Sequence, residues 1–226
     1  MTDLATRLDA VRERIARACA RVHREASSVC LVLASKTRAP EAIAAAYAAG
    51  ARDFGENYVQ EAIAKRAALT HLLGVRWHMI GHLQSNKARA AVENFALLHT
   101  LDGMRLANAL ARARPAPPMP VLVEVNLGDE ASKSGVSPGA VARLIESVRA
   151  IVEVRGLMTI PPPAANPAAA RHWFAQLREL RERLVVDSGL ALRELSMGMS
   201  EDYEAAIEEG ATIVRVGRAV FGERPG

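Results

Sequence analysis

Cysteine, lysine and the aromatic residues are scarce in this 226-residue chain, and each shortage closes off a class of protein. Its two cysteines, Cys19 and Cys30, stand in no metal-ligand spacing with each other or with histidine, so neither a zinc module nor a disulfide scaffold is indicated. Two unpaired thiols suit a reducing compartment. Aromatic residues make up 4% of the chain, which leaves the aliphatic side chains and alanine to fill the core. There is no run of 18 apolar residues, and the first twenty residues hold no apolar signal core. The sequence therefore predicts a cytoplasmic, soluble protein with no membrane segment. Lysine occurs only at positions 36, 65, 87 and 133, so the net charge of +4 comes mainly from arginine. Runs such as 178–183 alternate arginine with glutamate at helical spacing. That is a solvated helix face rather than a stripe for nucleic acid, and no nucleic-acid partner is expected. No long exposed apolar helix demands a second copy, so a monomer is expected.

What is present is a repeat of short apolar runs separated by helical patterns. Segment 3–23 places Leu4, Leu8, Val11, Ile15 and Val22 at helical spacings with no strand before it. Strand patterns follow at 29–34, 51–57, 76–83, 97–102, 121–127, 152–160, 192–200 and 212–217. Pro40 opens a helix that Gly50 closes. Further helical patterns occupy 58–73, 84–95, 103–114, 138–150, 167–187 and 201–209. Ser137-Pro138 and Asn166-Pro167 are good pairs for a helix cap and first turn. Eight strands alternating with helices predict one α/β domain over residues 1–226, a TIM-type (β/α)8 barrel with an extra N-terminal helix covering its bottom. The alternative is an open doubly wound sheet, but no G-x-G-x-x-G follows the first strand.

In such a barrel the functional residues stand at the C-terminal ends of the strands. Those ends read Lys36, Asn57, His82, Asp102, Asn126, Thr159, Ser200 and Arg215-Val216-Gly217. Lys36 shares a strand face with Val32 and Ala34. A lysine at the mouth is partly desolvated, which favours the neutral amine that Schiff-base chemistry needs. The same spacing suits a lysine that snorkels to the rim or pairs with a carboxylate such as Glu56, and spacing alone does not choose. Ser200 is expected to cap the helix at 201–209, and Gly217 to let backbone approach a ligand. Together they form the phosphate corner common after strands seven and eight. An ordinary cap and an ordinary turn would read the same. Arg215 shares the face of Gly217 and should point into the mouth, with Asp53 or Glu56 as its bland partners. His78 and His82 lie four apart on a strand without a third ligand nearby, so no metal site is expected.

Seven collinear segments then carry a resemblance. They are Ala34-Ser35-Lys36-Thr37, Phe54-Gly55-Glu56-Asn57-Tyr58-Val59-Gln60-Glu61, Trp77-His78-Met79-Ile80-Gly81-His82-Leu83-Gln84-Ser85-Asn86-Lys87, Ser132-Lys133-Ser134-Gly135, Gly156-Leu157-Met158, Ser196-Met197-Gly198-Met199-Ser200 with Asp202 and Glu204, and Val214-Arg215-Val216-Gly217 with Phe221-Gly222. From about residue 30 to 222 the chain resembles the pyridoxal phosphate homeostasis protein family. The resemblance implies a barrel like the N-terminal domain of alanine racemase. It implies pyridoxal 5′-phosphate (PLP) on Lys36, Asn57 beside the ring, Ser200 and Gly217 at the phosphate, and Arg215 near the pyridine nitrogen. Position 218 departs from the pattern, because arginine stands where many relatives carry threonine. An arginine there could pair with phosphate or turn outward.

Two functions follow. One is a carrier that buffers PLP and passes it to apo PLP-dependent enzymes. The other is an amino-acid racemase or related PLP enzyme. A racemase of this barrel type adds a β-domain that supplies an opposing tyrosine, and only nine residues follow Gly217 here. Tyr47, Tyr58 and Tyr203 are not placed for that role, and proton transfer on two faces needs a group on each. The expectation is therefore a carrier without turnover. Lys87 and Lys133 are the fallback amines.

Overall fold

The protein is described by a computed structural model over residues 3–114, 116–130, 133–162 and 166–223. Eight parallel strands close into a barrel in chain order. They are β1 (Cys30–Ala34), β2 (Asp53–Glu56), β3 (Arg76–Met79), β4 (Leu97–Leu101), β5 (Pro120–Glu124), β6 (Glu153–Met158), β7 (Glu194–Ser196) and β8 (Ile213–Val216). Around them lie α1 (Leu4–Arg21), α2 (Pro40–Ala48), α3 (Val59–Ala68), α4 (Ala88–Asn94), α5 (Met104–Ala113), α6 (Val141–Val148), α7 (Pro167–Ser188), α8 (Tyr203–Glu208) and the short α9 (Arg218–Phe221). The barrel closes through β1 and β8, with Val32 opposite Arg215.

Period-two alternation sends one set of strand residues outward against the helices and the other into the barrel. Outward residues such as Leu33, Phe54, Leu98, Val123 and Val214 join the main apolar core. Val32, Leu97, Leu122, Met158 and Ile213 form a separate inner cluster with Cys30 beside it. The rest of the interior is polar: Asp53, His78, His99, Ser196 and Arg215 are all buried. Each of these forgoes the roughly 1.5–3 kcal/mol that a buried aliphatic side chain contributes. Each must also be hydrogen-bonded to avoid a desolvation cost of similar size.

Several expectations need correction. The patterns at 76–83 and 192–200 yield strands of four and three residues. Beyond them the chain leaves the ladder to build the barrel mouth. A Cβ on Gly81 would meet the Asn57 carbonyl oxygen at 2.5 Å, so only glycine permits that close crossing. The helix expected over 84–95 begins as a 3₁₀ turn at Ser85–Lys87. Asn166 caps α7 by accepting from the Ala169 N–H at 2.9 Å, whereas Ser137 makes no such bond and leads into a 3₁₀ turn. Of the proline-rich connector 115–120, Pro115 lies outside the described residues.

Helix α1 does not simply cover the barrel bottom. It packs across α8, α9 and α2, over the seam where the first and last units meet. Arg24 there donates to the carbonyls of Ile207 and Ala211, at 2.9 Å each. Only residues such as Leu8, Arg12 and Ile15 reach the cavity at the N-terminal end of the barrel. Cys19 and Cys30 are both free thiols. Among the described residues, no helix is long and apolar enough to cross a membrane.

Candidate functional site

Lys36 leaves β1 in a turn that its neighbours hold from three sides. The Ser35 N–H donates to the Gly55 carbonyl at 2.9 Å, and Lys65 Nζ donates to the Ser35 carbonyl at 2.7 Å. The Thr37 N–H, at a left-handed φ of 62°, donates to Glu61 Oε1 at 2.6 Å. Glu56, the carboxylate considered for Lys36, has its Oε1 bonded by Ser35 Oγ at 2.6 Å and Lys65 Nζ at 2.7 Å. Burial pushes the Glu56 carboxyl above its ordinary range, and the hydrogen bonds from Lys65 and Ser35 oppose that rise. This buried Lys65–Glu56–Ser35 cluster went unread in the sequence. Glu61 and Lys65 stand four apart, the signature of an ordinary surface pair, and no sequence signal turns that lysine inward.

The corner after β7 and β8 differs from expectation. Ser200 does not cap α8, which begins at Tyr203. Asp202 precedes that helix, and its Oδ1 accepts from the Met199 N–H at 2.6 Å. Ser200 Oγ instead accepts from the N–H groups of Gly217 at 3.2 Å and Ala219 at 3.4 Å, at the start of α9. Gly217 has a negative φ of −120°, so a left-handed conformation does not explain it. Its small size does, because a Cβ would lie 3.1 Å from the Ala34 carbonyl oxygen. Arg218 turns to the rim and pairs with Glu201.

Arg215 rises from inside β8. It donates from one terminal nitrogen to Ser196 Oγ at 2.6 Å and from the other to the Thr159 carbonyl at 3.0 Å. Neither Asp53 nor Glu56 partners it. Burial lowers its pKa to about 10, partly offset by the charges of Asp202 and Glu124, and the guanidinium remains charged at neutral pH.

Lys36, Asn57, Ser200, Arg215 and Gly217 line one cavity of about 540 Å³, with Ala34, Ile80, Ile160 and Met199 as its apolar wall. Other strand-end residues go elsewhere. His82 Nδ1 pairs with Asp102 at 3.2 Å beside a second cavity. Asn126 and Lys133 line a smaller one, where Lys133 Nζ bonds Glu130 at 2.8 Å and the Pro161 carbonyl at 3.3 Å. Thr159 Oγ1 is spent on the Val125 carbonyl at 2.8 Å. His78 and His82 diverge: His78 points inward and bonds Asp53 at 2.9 Å, while His82 stands exposed. Chemically, the main cavity gathers a primary amine, the buried Arg215, a hydroxyl backed by two backbone N–H groups, and at its edge Arg218 with Glu201, Asp202 and Glu223. That donor set suits an anionic ligand bearing a carbonyl.

Comparison with known proteins gives the family. The family model for the alanine racemase N-terminal domain matches residues 6–225. The chain is 46% identical to the pyridoxal phosphate homeostasis protein of Pseudomonas aeruginosa, covering 99% of this chain and 97% of the relative. It is 42% identical to the Escherichia coli protein of that name, covering 99% and 98%. The PipY protein of Synechococcus elongatus, solved with PLP bound, superposes with a TM-score of 0.86 at 40% identity, covering 97% of this chain and 100% of that one. An alanine racemase from Clostridium difficile shares the fold at a TM-score of 0.72 and 14% identity, and this chain covers 57% of it. The chain thus belongs to the pyridoxal phosphate homeostasis protein family, on an alanine-racemase-type barrel.

Proposed function

We propose that this chain binds PLP as a Schiff base on Lys36 and works as a cytoplasmic, monomeric, single-domain carrier that buffers PLP for apo PLP-dependent enzymes, without significant catalysis. No nucleic acid or membrane is among its proposed partners. The observation that carries the reading is the meeting of Lys36, Asn57, Ser200, Arg215 and Gly217 on one cavity. Its volume of about 540 Å³ lies within the range of small-ligand pockets. PLP would supply an aldehyde that condenses reversibly with a primary amine, releasing water.

The protein's own residues do the rest. The pinned turn at Ser35–Thr37 presents Lys36 Nζ at the mouth. Ser200 Oγ, which accepts from the Gly217 and Ala219 N–H groups, keeps its own proton to give to phosphate, and those two N–H groups would share or transfer their bonds to it. Asn57, seated against Gly81, flanks the ring, and Arg215 is assigned to the ring nitrogen. An arginine cannot accept a proton, and its charge disfavours a pyridinium beside it. A neutral ring withdraws electrons weakly, which suits a carrier that must hold its cargo without side reactions.

Tyrosine placement argues against a racemase. Tyr203 is buried beneath α1, with Arg14 5.2 Å from its ring centre. Tyr47 donates to the Leu73 carbonyl at 2.9 Å, and Tyr58 lies exposed before α3. Among the described residues no tyrosine lines the cavity. Borohydride reduction of the PLP-loaded protein should fix the cofactor to the peptide containing Lys36; labelling elsewhere, including at Lys87 or Lys133, contradicts the assignment. Deuterium exchange at Cα of alanine and serine should stay far below about one turnover per second, the low end of ordinary enzyme rates. Exchange faster than that would establish an enzyme.

A further inference from the structure

Beneath Arg215, a continuous line of hydrogen bonds crosses the barrel interior. Arg215 donates to Ser196 Oγ at 2.6 Å, and Ser196 Oγ lies 2.8 Å from His99 Nδ1. His99 Nε2 lies 3.0 Å from His78 Nδ1, and His78 Nε2 lies 2.9 Å from Asp53 Oδ1. Asp53 accepts from Arg76 Nε at 2.6 Å and from a terminal nitrogen at 2.5 Å. The Arg76 side chain is 60% exposed and lines the cavity at the opposite end of the barrel. Five strands contribute: β2, β3, β4, β7 and β8.

Counting donors and acceptors fixes the protons. Arg215 can only donate, and an ionised Asp53 can only accept. With Asp53 accepting, His78 carries its proton on Nε2 and offers a lone pair at Nδ1. His99 then donates from Nε2 and accepts at Nδ1. The Ser196 hydroxyl donates to that nitrogen while accepting from Arg215. Every bond is satisfied and every donor points the same way, from Arg215 toward Asp53. A proton added to either imidazole would break that order, leaving two N–H groups opposed or the buried Ser196 hydroxyl without an acceptor. Electrostatics agree. Burial, His78 and the charge of Arg215 together pull the His99 pKa well below its ordinary value. Burial acts to raise the Asp53 pKa, but hydrogen bonds from His78 and Arg76 outweigh it and hold the carboxyl low.

We propose that Asp53, His78, His99 and Ser196 are positioning residues. They form a one-way relay with both imidazoles neutral and protonated on Nε2, and they hold Arg215 as a fixed cation against the bound ring. The role at the ring rests on the PLP reading above, whereas the proton arrangement does not. Ser196 and the Thr159 carbonyl take one hydrogen from each terminal nitrogen, so the guanidinium plane cannot swing. Arg215 therefore meets the cofactor in one orientation set by buried groups on four other strands.

Nitrogen-15 NMR of histidine-labelled protein without cofactor tests the proton arrangement directly. His78 and His99 should both show the neutral Nε2–H tautomer at pH 7. An imidazolium or an Nδ1–H tautomer on either overturns the relay, whatever becomes of PLP binding. A second experiment compares His99→Leu with His99→Gln, which keeps one donor and one acceptor and cannot titrate. In PLP-loaded protein, His99→Leu should weaken PLP binding about tenfold, as expected for a loosened charged hydrogen bond. It should also shift the nitrogen-15 signal of the bound ring, while His99→Gln stays near wild type in both. If His99→Leu fails to fold, Ser196→Ala cuts the relay at Arg215 and should produce the same shift. An unmoved ring signal in a folded relay variant means that these residues only fill the barrel. Wild-type protein that binds no PLP would instead refute the proposed function and leave the tautomer result standing.

Discussion

Two cavities of similar size open at the C-terminal end of the barrel, one of about 540 Å³ beside β1, β2 and β8 and one of about 600 Å³ beside β3 and β4. Volume does not separate them; chemistry does. The first joins a primary amine, a buried arginine, a serine hydroxyl and backbone N–H groups at a helix start. The second holds His82 and Asp102, whose 3.2 Å pairing satisfies them mutually, together with Gln84, Ser85, Asn86 and Arg105. A ligand entering the first meets Lys36, Arg215 and Ser200 converging from different strand ends. In the second it must compete with the His82–Asp102 contact already made. Convergent donors on rigid strand ends, rather than empty space, distinguish a binding site from a gap between loops.

The sharpest way to break this contrast is Lys36→Ala. Covalent PLP should be lost completely, measured as absorbance that survives borohydride and denaturation; retention at full stoichiometry would shift the amine to Lys87 or Lys133. Ser200→Ala removes one hydrogen bond to a charged group, worth roughly 1.5–3 kcal/mol. PLP affinity should fall about one to two decades in a fluorescence titration, while pyridoxal without phosphate is almost unaffected. Equal losses for both ligands would show that Ser200 merely ties the β7 loop to α9.

Asp102→Asn, in the second cavity, should change PLP affinity less than about twofold. Its effect should appear in stability instead. Burial raises the Asp102 pKa, against the lowering influence of His82. A carboxyl with a raised folded pKa disfavours the folded state above that pKa, and the cost is relieved as pH falls through it. The asparagine variant should therefore melt at or above the wild-type temperature at pH 7, with the gap closing toward about pH 4. A melting temperature well below wild type at pH 7 would mean that the His82 pair outweighs burial. A large loss of PLP affinity would merge the two cavities into one site.

Much of this was legible in the chain. Strand count and order followed from apolar runs at regular spacing, because a parallel strand between helix and barrel interior needs bulk on both faces. Lys36, Asn57, Arg215 and Gly217 stand at strand ends in the sequence and line one cavity in the structure, whereas their parts in binding came only from the family resemblance. Ser200 lies beside Gly217 after β7 and β8, yet it does not cap the helix that its sequence position suggests. Its position before Glu201 looked like a cap, but α8 starts three residues later, and the hydroxyl serves a helix from the next unit. Arg218 was ambiguous in sequence because both its phosphate and its rim partners were possible, and the structure gives it to Glu201.

By itself, then, the sequence determined the repeating units, their order and the strand ends that carry polar groups, since these depend on local periodicity and on side-chain direction along a strand. Tertiary structure alone decided which polar groups meet. Lys65 turns inward to the Glu56 carboxylate, which is buried at the end of β2 and bonds it at 2.7 Å. His78, His99 and Ser196 join Arg215 to Asp53 only when five strands close into a ring and their inward faces share one dry space. The hydrogen bond between His99 and Ser196, 97 positions apart, obeys no sequence period. It forms because barrel closure removes water and leaves each buried polar group only another as a partner.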